Sequence, residues 1–270
     1  MSAKSQSIVS AGLRQVDFLL QSRFCLVQPF FVEDPAAAAG AGIYTTEEWN
    51  RIRQHQTAPL GSDEDRYGSD DAYRRYLASI HQSKIQSVQS LLRMFDFRKY
   101  DRILELGCGD MPQAFVVSSQ FPDISYTATD FDPHVIASCA RLPLLSGIRK
   151  FVFDVTRDDL GVLQHHDLAV SWSLEFSLNN EQLVNLFAAC RTYSVPYLLC
   201  THAAIGPIGY LHRSCLMKKQ AKQVPTRNRH RIIGWLRSVG ELARLARQAG
   251  MGLQSKGLHV NHVALLFVPT

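Results

Sequence analysis

No apolar run in the 270 residues reaches the roughly 18 that a membrane-spanning helix needs, so no membrane association is expected. The opening stretch MSAKSQSIVSAGLRQVDFLLQSRF lacks the continuous apolar core of a signal peptide. Cysteine is sparse and scattered: Cys25, Cys108, Cys139, Cys190, Cys200 and Cys215 form no CxxC pair and no Cys/His cluster at zinc spacing. No metal is predicted, and the pattern fits reduced thiols in a cytoplasmic protein. A net charge of +5 is too small to argue by itself for nucleic acid. One sign of charge is missing locally, however. From Ala203 to Arg231 there is no acid, while Arg213, Lys218, Lys219, Lys222, Arg227, Arg229 and Arg231 accumulate beside His212 and His230.

The length suits one large α/β core with an appended segment, which needs no disulfides. The reading divides the chain into an N-terminal helical extension or lid over 1–95 and a catalytic domain over 96–270, with a basic insertion at 203–231. An apolar and aromatic stretch from Phe18 to Gly42 ends in PAAAAGAG, a small-residue linker. GSDEDRYGSDD, from Gly61 to Asp71, reads as an exposed loop that ends by capping a helix. Tyr73, Tyr76, Leu77, Ile80, Ile85, Val88, Leu91, Leu92 and Phe95 recur at helical spacing, which predicts one helix over Ala72 to Phe95.

From Arg102 onward strand and helix signals alternate, as in a doubly wound sheet. Buried strands are expected at Arg102 to Leu106, Ser125 to Thr129, Lys150 to Phe153, Asp167 to Trp172 and Tyr197 to Thr201. After a helix over Val239 to Ala249, with Ser238 and Glu241 as a capping box and Gly250 as its stop, come Met251 to Leu258 and His262 to Val268. These two segments are too close for a crossover helix and must pair antiparallel. The expected fold is therefore α/β: a doubly wound, mostly parallel seven-stranded sheet closed by a C-terminal antiparallel hairpin.

RILELGCGD, from Arg102 to Asp110, is the most informative run. A strand that ends in an acid and then Gly107, Cys108 and Gly109 lets a nucleotide-like ligand approach bare peptide groups at a helix start. Glu105 would repel a pyrophosphate and favour a cationic group. The run resembles the first motif of the class I S-adenosylmethionine (SAM)-dependent methyltransferases: apolar strand, acid, Gly-x-Gly turn. It departs from that motif where the family often has a third glycine, because Met111 stands there, followed by Pro112 as the opening residue of the next helix. The terminal hairpin agrees with the same topology. The resemblance covers about Tyr100 to Pro269 and implies SAM as cofactor.

Site roles follow strand by strand. Asp130 lies about twenty residues beyond the glycines, the spacing at which an acid accepts two ribose hydroxyls. Phe131 is placed against the adenine, and Asp132 before Pro133 reads as a helix N-cap. In the family's pattern Asp154 accepts from the adenine amino group and Val155 offers a backbone contact; the alternative for Asp154 is a turn cap. The segment after the fourth strand, in the family, runs beneath the methionine part of the cofactor, which implicates Ser171, Trp172, Ser173, Leu174 and Glu175. The Asn/Asp-Pro-Pro-Tyr motif of base and glutamine N-methyltransferases is absent here. No Lys-Asp-Lys-Glu set supports ribose 2′-O-methylation.

Methyl transfer needs an aligned nucleophile in a dry site, and a general base where the acceptor carries a proton. Glu175 and His202 are the candidate catalytic residues, and Tyr210, His212 and Arg213 the candidate acceptor contacts. A structural role for each histidine is the alternative. The basic insertion leaves from the ligand end of the sheet and suggests an anionic small-molecule acceptor; a solvated lid facing the acidic Gly61 to Asp71 loop is the other reading. KKQAKQVPTRNRHR has no interleaved aromatics for base stacking, so RNA ranks behind a small molecule. A protein substrate, a non-catalytic SAM-binding subunit and a nicotinamide oxidoreductase complete the alternatives.

Overall fold

The computed structural model describes residues 15–33, 63–202, 204–212, 214, 230–259 and 262–270. Strand β1 (Val27–Glu33) is followed by three helices, α1 (Asp63–Tyr67), α2 (Asp70–Ile80) and α3 (Gln82–Met94). Alternation then sets in with β2 (Arg102–Leu106), α4 (Pro112–Gln120), β3 (Ser125–Asp130), α5 (Pro133–Ala140) and β4 (Arg149–Val152). It continues through β5 (Leu168–Trp172), α6 (Asn180–Thr192) and β6 (Tyr197–Thr201). The chain closes with β7 (His230–Arg237), α7 (Val239–Gln248), β8 (Met251–His259) and β9 (His262–Pro269).

Seven strands form the expected sheet, in the order β4-β3-β2-β5-β6-β9-β8. β2 to β6 run parallel, β9 pairs antiparallel with β6, and β8 with β9. Every residue of β5 and β6 is buried, as it must be when helices cover both faces of a parallel sheet. Alternation along the strands sorts the core into two layers. Ile103, Val170, Trp172, Leu198, Cys200 and Ala264 pack with Val88 and Leu91 of α3 and Val117 of α4. Leu104, Ala169, Tyr197, Leu199, Val263 and Leu265 pack instead with Leu186 of α6 and Leu242 of α7. β2 lies between β3 and β5, so the order of strands reverses there, the place beyond the carboxyl ends at which open α/β sheets bind ligands.

Local signals explain the helix starts. Asp132 caps α5 by accepting from the His134 N–H at 2.9 Å, with Pro133 at the first turn. Gly250 ends α7 with φ 74°. Ser238 Oγ accepts from the Glu241 N–H, but the reciprocal half of the capping box is missing, because the Glu241 carboxylate is taken by Arg244 at 2.7 Å.

Three expectations are corrected. The helix over Ala72 to Phe95 is two helices, because His81 at φ −106°, ψ 14° ends α2, its N–H bonded to the Leu77 carbonyl. The apolar periodicity survives a one-residue break, so it could not reveal it. The acidic run is no exposed loop over its described part: 63–67 is helical and Tyr67 is buried, while Ser69 caps α2. The basic insertion ends earlier than Arg231, since His230 and Arg231 already belong to β7. β7 pairs antiparallel with β1 in a second, two-stranded sheet, so the N-terminal extension also contributes a strand. Ser238 holds that join, accepting from the Leu26 N–H at 2.9 Å and donating to the Phe24 carbonyl.

Five described cysteines are free thiols: Cys25, exposed, and Cys108, Cys139, Cys190 and Cys200, buried. Among the described residues no helix is long and apolar enough to cross a membrane, and no group of His, Cys, Asp and Glu is arranged to hold a metal.

Candidate functional site

The glycine turn after β2 is left-handed at three positions: Gly107 at φ 68°, Gly109 at φ 53° and Met111 at φ 59°. Glycine takes this conformation at no steric cost. At Met111 a side chain pays it, and the fully buried thioether packs into the core while Pro112 opens α4. The departure from a third glycine thus changes the residue and keeps the backbone geometry. A Cβ on Gly107 would lie 3.1 Å from Leu174 Cδ1, so the turn and the segment after β5 close on one another.

Asp130, at the end of β3, fastens the turn. Its Oδ2 accepts from the Gly109 N–H at 2.8 Å and its Oδ1 from the Asp132 N–H at 3.0 Å. The carboxylate is therefore fixed at the carboxyl edge of the sheet, next to the bare peptides of the turn. Cys108 is buried, and its N–H bonds to the Thr129 carbonyl at 2.8 Å. Glu105 is fully buried beneath the same turn. Tyr126 donates to its Oε2 at 3.1 Å, and its Oε1 makes no hydrogen bond of normal geometry. Burial raises Glu105 from an ordinary 4.5 to about 7, against the lowering effect of the Lys84 ammonium.

Asp110 was not foreseen. Its carboxylate accepts from the hydroxyls of Tyr67 and of Tyr76, the latter at 2.7 Å, and faces His81 Nε2 at 3.3 Å. Tyr73 donates to the Asp110 carbonyl at 2.6 Å. Three tyrosines and a histidine on α1, α2 and the break after α2 thus latch the helical cover onto the glycine turn. In the sequence Tyr73 and Tyr76 register as apolar helix positions, and nothing signals what their hydroxyls reach. The acid directly after Gly-x-Gly was the available cue.

Beyond β5, β6 and β9 a cluster of rings forms on the α3 side of the sheet. Trp172 and His262 meet edge to face with centroids 4.7 Å apart, and His262 lies 6.0 Å from His202. Each imidazole has its Nδ1 held by a serine, His202 by Ser173 Oγ at 2.6 Å and His262 by Ser87 Oγ at 2.8 Å. Phe176 stands 6.3 Å from His202. Desolvation, then the Lys84 charge, lowers the His202 pKa below its usual 6.5, which favours the neutral ring. The Trp172 Nε1 is buried without a partner. His262 escaped the sequence reading because it opens a hairpin strand far along the chain from the motif.

Two residues expected beside these fall elsewhere. Side chains alternate faces along β5, so Ser171 and Trp172 cannot both line one pocket. Trp172 is on the α3 side, whereas Ser171 is fully buried with its hydroxyl on Tyr197, in the layer under α6 and α7. Glu175 is only 2% exposed, and its carboxyl interacts with Thr201 and Arg237 rather than with His202. Burial pushes it up to about 7. Arg237, itself buried, holds this corner by donating to the carbonyls of Glu175 and Leu178 at 2.6 Å each.

Asp154 shows the turn-cap alternative: its Oδ1 accepts from the N–H and hydroxyl of Thr156 at 2.9 and 2.7 Å. Phe131 and Val155 are half-buried near the ends of β3 and β4. Tyr210 packs with Phe176, Ile205 and Leu236, and His212 is exposed. Arg213, with the basic residues Lys218 to Arg229, lies outside the described residues. In the acidic run, Asp63 contacts Arg66 and, at 2.6 Å, His134.

The buried acids make a prediction about pH. A carboxyl whose folded pKa exceeds its unfolded value contributes stability that is complete below about 4.5 and lost as pH rises through about 7. His166 and His202, lowered by burial, titrate with the opposite sign below 6.5. Comparing variants isolates one group. Glu175→Gln should gain on the wild type by on the order of 3 kcal/mol between pH 5 and 8 in urea unfolding. A constant difference across that range would contradict the assignment.

No family model matches the chain, and no curated protein matches it by sequence. Solved structures do match. The pyocyanin biosynthetic protein PhzM aligns over 82% of this chain and 68% of its own, at 14% identity and TM-score 0.54. Human N-acetylserotonin methyltransferase, in complex with SAM, aligns over 83% of this chain at 16% identity and TM-score 0.52. An O-methyltransferase of neocarzinostatin biosynthesis, in complex with S-adenosyl-L-homocysteine and 1,4-dihydroxy-2-naphthoic acid, aligns over 82% at 14% identity and TM-score 0.55. This chain spans 61% of the length of each of the last two. The fold is that of the class I SAM-dependent methyltransferases.

Proposed function

We propose that this chain, with its class I methyltransferase fold, binds SAM and transfers a methyl group to an oxygen or nitrogen of a small molecule. The observation that carries the reading is the left-handed Gly107–Cys108–Gly109 turn fastened by Asp130, with Glu105 buried beneath it. The donor set fits the cofactor. Glu105 supplies a buried carboxyl group for a cationic amino group, Asp130 an acid for ribose hydroxyls, and Gly107 and Gly109 a backbone without side chains. Phe131 and Val155 are assigned to the adenine side, with Asp154 beside them. Trp172, at the end of β5, lies on the α3 side of the sheet. When bound, SAM supplies a sulfonium methyl that an in-line nucleophile can accept.

The chain's own residues perform the rest. Neutral His202 accepts the proton of an acceptor hydroxyl, and Ser173 orients its ring. Glu175, enclosed on the other side of the sheet, is left out of this role. Trp172, His262 and Phe176 offer ring faces and edges that suit a flat acceptor and exclude water from the reacting groups. The three tyrosines on Asp110 hold the helical cover over the turn. Transfer to oxygen agrees with the name of the neocarzinostatin-biosynthesis neighbour, an O-methyltransferase. An anionic acceptor, with Tyr210, His212 and Arg213 as contacts, rests on the basic run of the sequence alone. The test is incubation with methyl-labelled SAM and a fractionated cell extract. Label should enter a small molecule; label confined to RNA or protein would overturn the acceptor class.

A further inference from the structure

Gly234 stands in the interior of β7, where a glycine weakens the strand by its backbone freedom and by lacking a side chain to pack. Its backbone does not require it, since the left-handed glycines among the described residues are Gly107, Gly109 and Gly250. Space does require it. A Cβ at this position would overlap the Phe176 ring, with Cδ1 and Cζ both at 2.5 Å. Leu236, two residues on and therefore on the same face of β7, packs with Phe176, Ile205 and Tyr210.

The end of β7 is tied to both segments that carry the rings beyond the main sheet. Arg237 donates to the carbonyls of Glu175 and Leu178, which bracket Phe176, and its own carbonyl accepts from the Ile205 N–H at 3.0 Å, shortly after His202. The Phe176 and His202 ring centroids lie 6.3 Å apart, their planes inclined by 37°. We infer that Gly234 is a specificity-determining residue: the room it leaves sets where the Phe176 ring stands beside His202, and so the width of the acceptor site. This rests on the reading above that places His202 on the acceptor. It makes the two-stranded sheet a wall of that site, and β1, paired with β7 from Val27 to Glu33, brings the N-terminal extension into acceptor choice.

Gly234→Ala tests the seat, and Phe176→Leu vacates it. In protein carrying isotope-labelled histidine, the His202 ring cross-peak, identified by its loss in His202→Gln, should move in Gly234→Ala. The same substitution should leave it in place in a Phe176→Leu background. An equal shift in both backgrounds would locate the effect in β7 rather than in the ring, and no shift in either would mean that the ring does not depend on Gly234; both overturn the inference. If Gly234→Ala alone does not fold, adding Phe176→Leu should restore folding, and failure to do so is equally fatal. For the small molecule that takes up label from SAM, KM should rise about tenfold or more in Gly234→Ala, as for an overpacked contact, with KM for SAM within about twofold. An unchanged acceptor KM beside a moved His202 would deny the role in specificity. S-adenosylhomocysteine affinity in calorimetry should also stay within about twofold; a wild type that binds none would end the methyltransferase reading, while the histidine spectra still judge the seat.

Discussion

Asp130→Ala is expected to remove detectable SAM binding in calorimetry, a loss of about a hundredfold or more, while the protein still folds. The magnitude follows from two charge-assisted hydrogen bonds to ribose hydroxyls, each worth about 1.5 to 3 kcal/mol. The carboxylate also accepts from the Gly109 and Asp132 N–H groups, so its removal loosens the turn as well. Asp130→Asn distinguishes the two effects. An amide oxygen can still accept from one of those N–H groups, so this variant should keep most of the wild-type melting temperature and remain weak in SAM binding. Wild-type affinity in Asp130→Ala would sink the ribose assignment.

The second large effect is expected at His202. Once an acceptor has been identified by label transfer, His202→Gln should lower kcat by about a hundredfold to ten-thousandfold, the range for loss of a general base. Cofactor affinity should hardly change, because the ring is held by Ser173 and His262, away from the glycine turn and Asp130. The wild-type rate should also fall with acid as His202 becomes protonated, at a pH below its usual 6.5, and this limb should vanish in the variant. An unaltered rate would mean that the acceptor reacts without a base and that His202 only lines the pocket. Glu175→Gln, by contrast, is expected to act on stability, given its enclosure beside Thr201 and Arg237.

Those two residues illustrate what the sequence made legible. Asp130 follows its glycines at a spacing set by one βαβ unit, and His202 follows a strand whose five residues were identified at both ends. The sheet was readable for the same reason: each strand is a short apolar run, and the closing pair has too few residues between its strands for a helix. What failed depends on contacts between distant segments. Asp110 collects Tyr67, Tyr73, Tyr76 and His81, and no local pattern tells a hydroxyl that reaches a carboxylate from a tyrosine that merely packs. His262 and Lys84 reach Trp172 from the last hairpin and the helical cover, far from the motif in sequence. Arg237 anchors the corner after β5 through the carbonyls of Glu175 and Leu178, and no local sequence pattern marks it.

Ser171 and Trp172 are adjacent in a strand, so period-two alternation assigns their side chains to opposite faces of the sheet. The break at His81 lies at one residue in a pattern that stays in register on both sides, and the structure shows what it gains: an imidazole against Tyr76 and Asp110. The strand β1 and its partner β7 stabilise each other only after folding brings the two ends of the chain together. Neither half alone carries enough alternation to declare itself.

The turn between β2 and α4 is the proposed SAM site. Titration of SAM into the wild-type protein by isothermal calorimetry decides it. The expected result is saturable binding at one site per chain, tightening as pH rises through about 7, where Glu105 becomes the carboxylate that receives the amino group. No heat of binding at any pH between 6 and 8, with the protein folded, would contradict it.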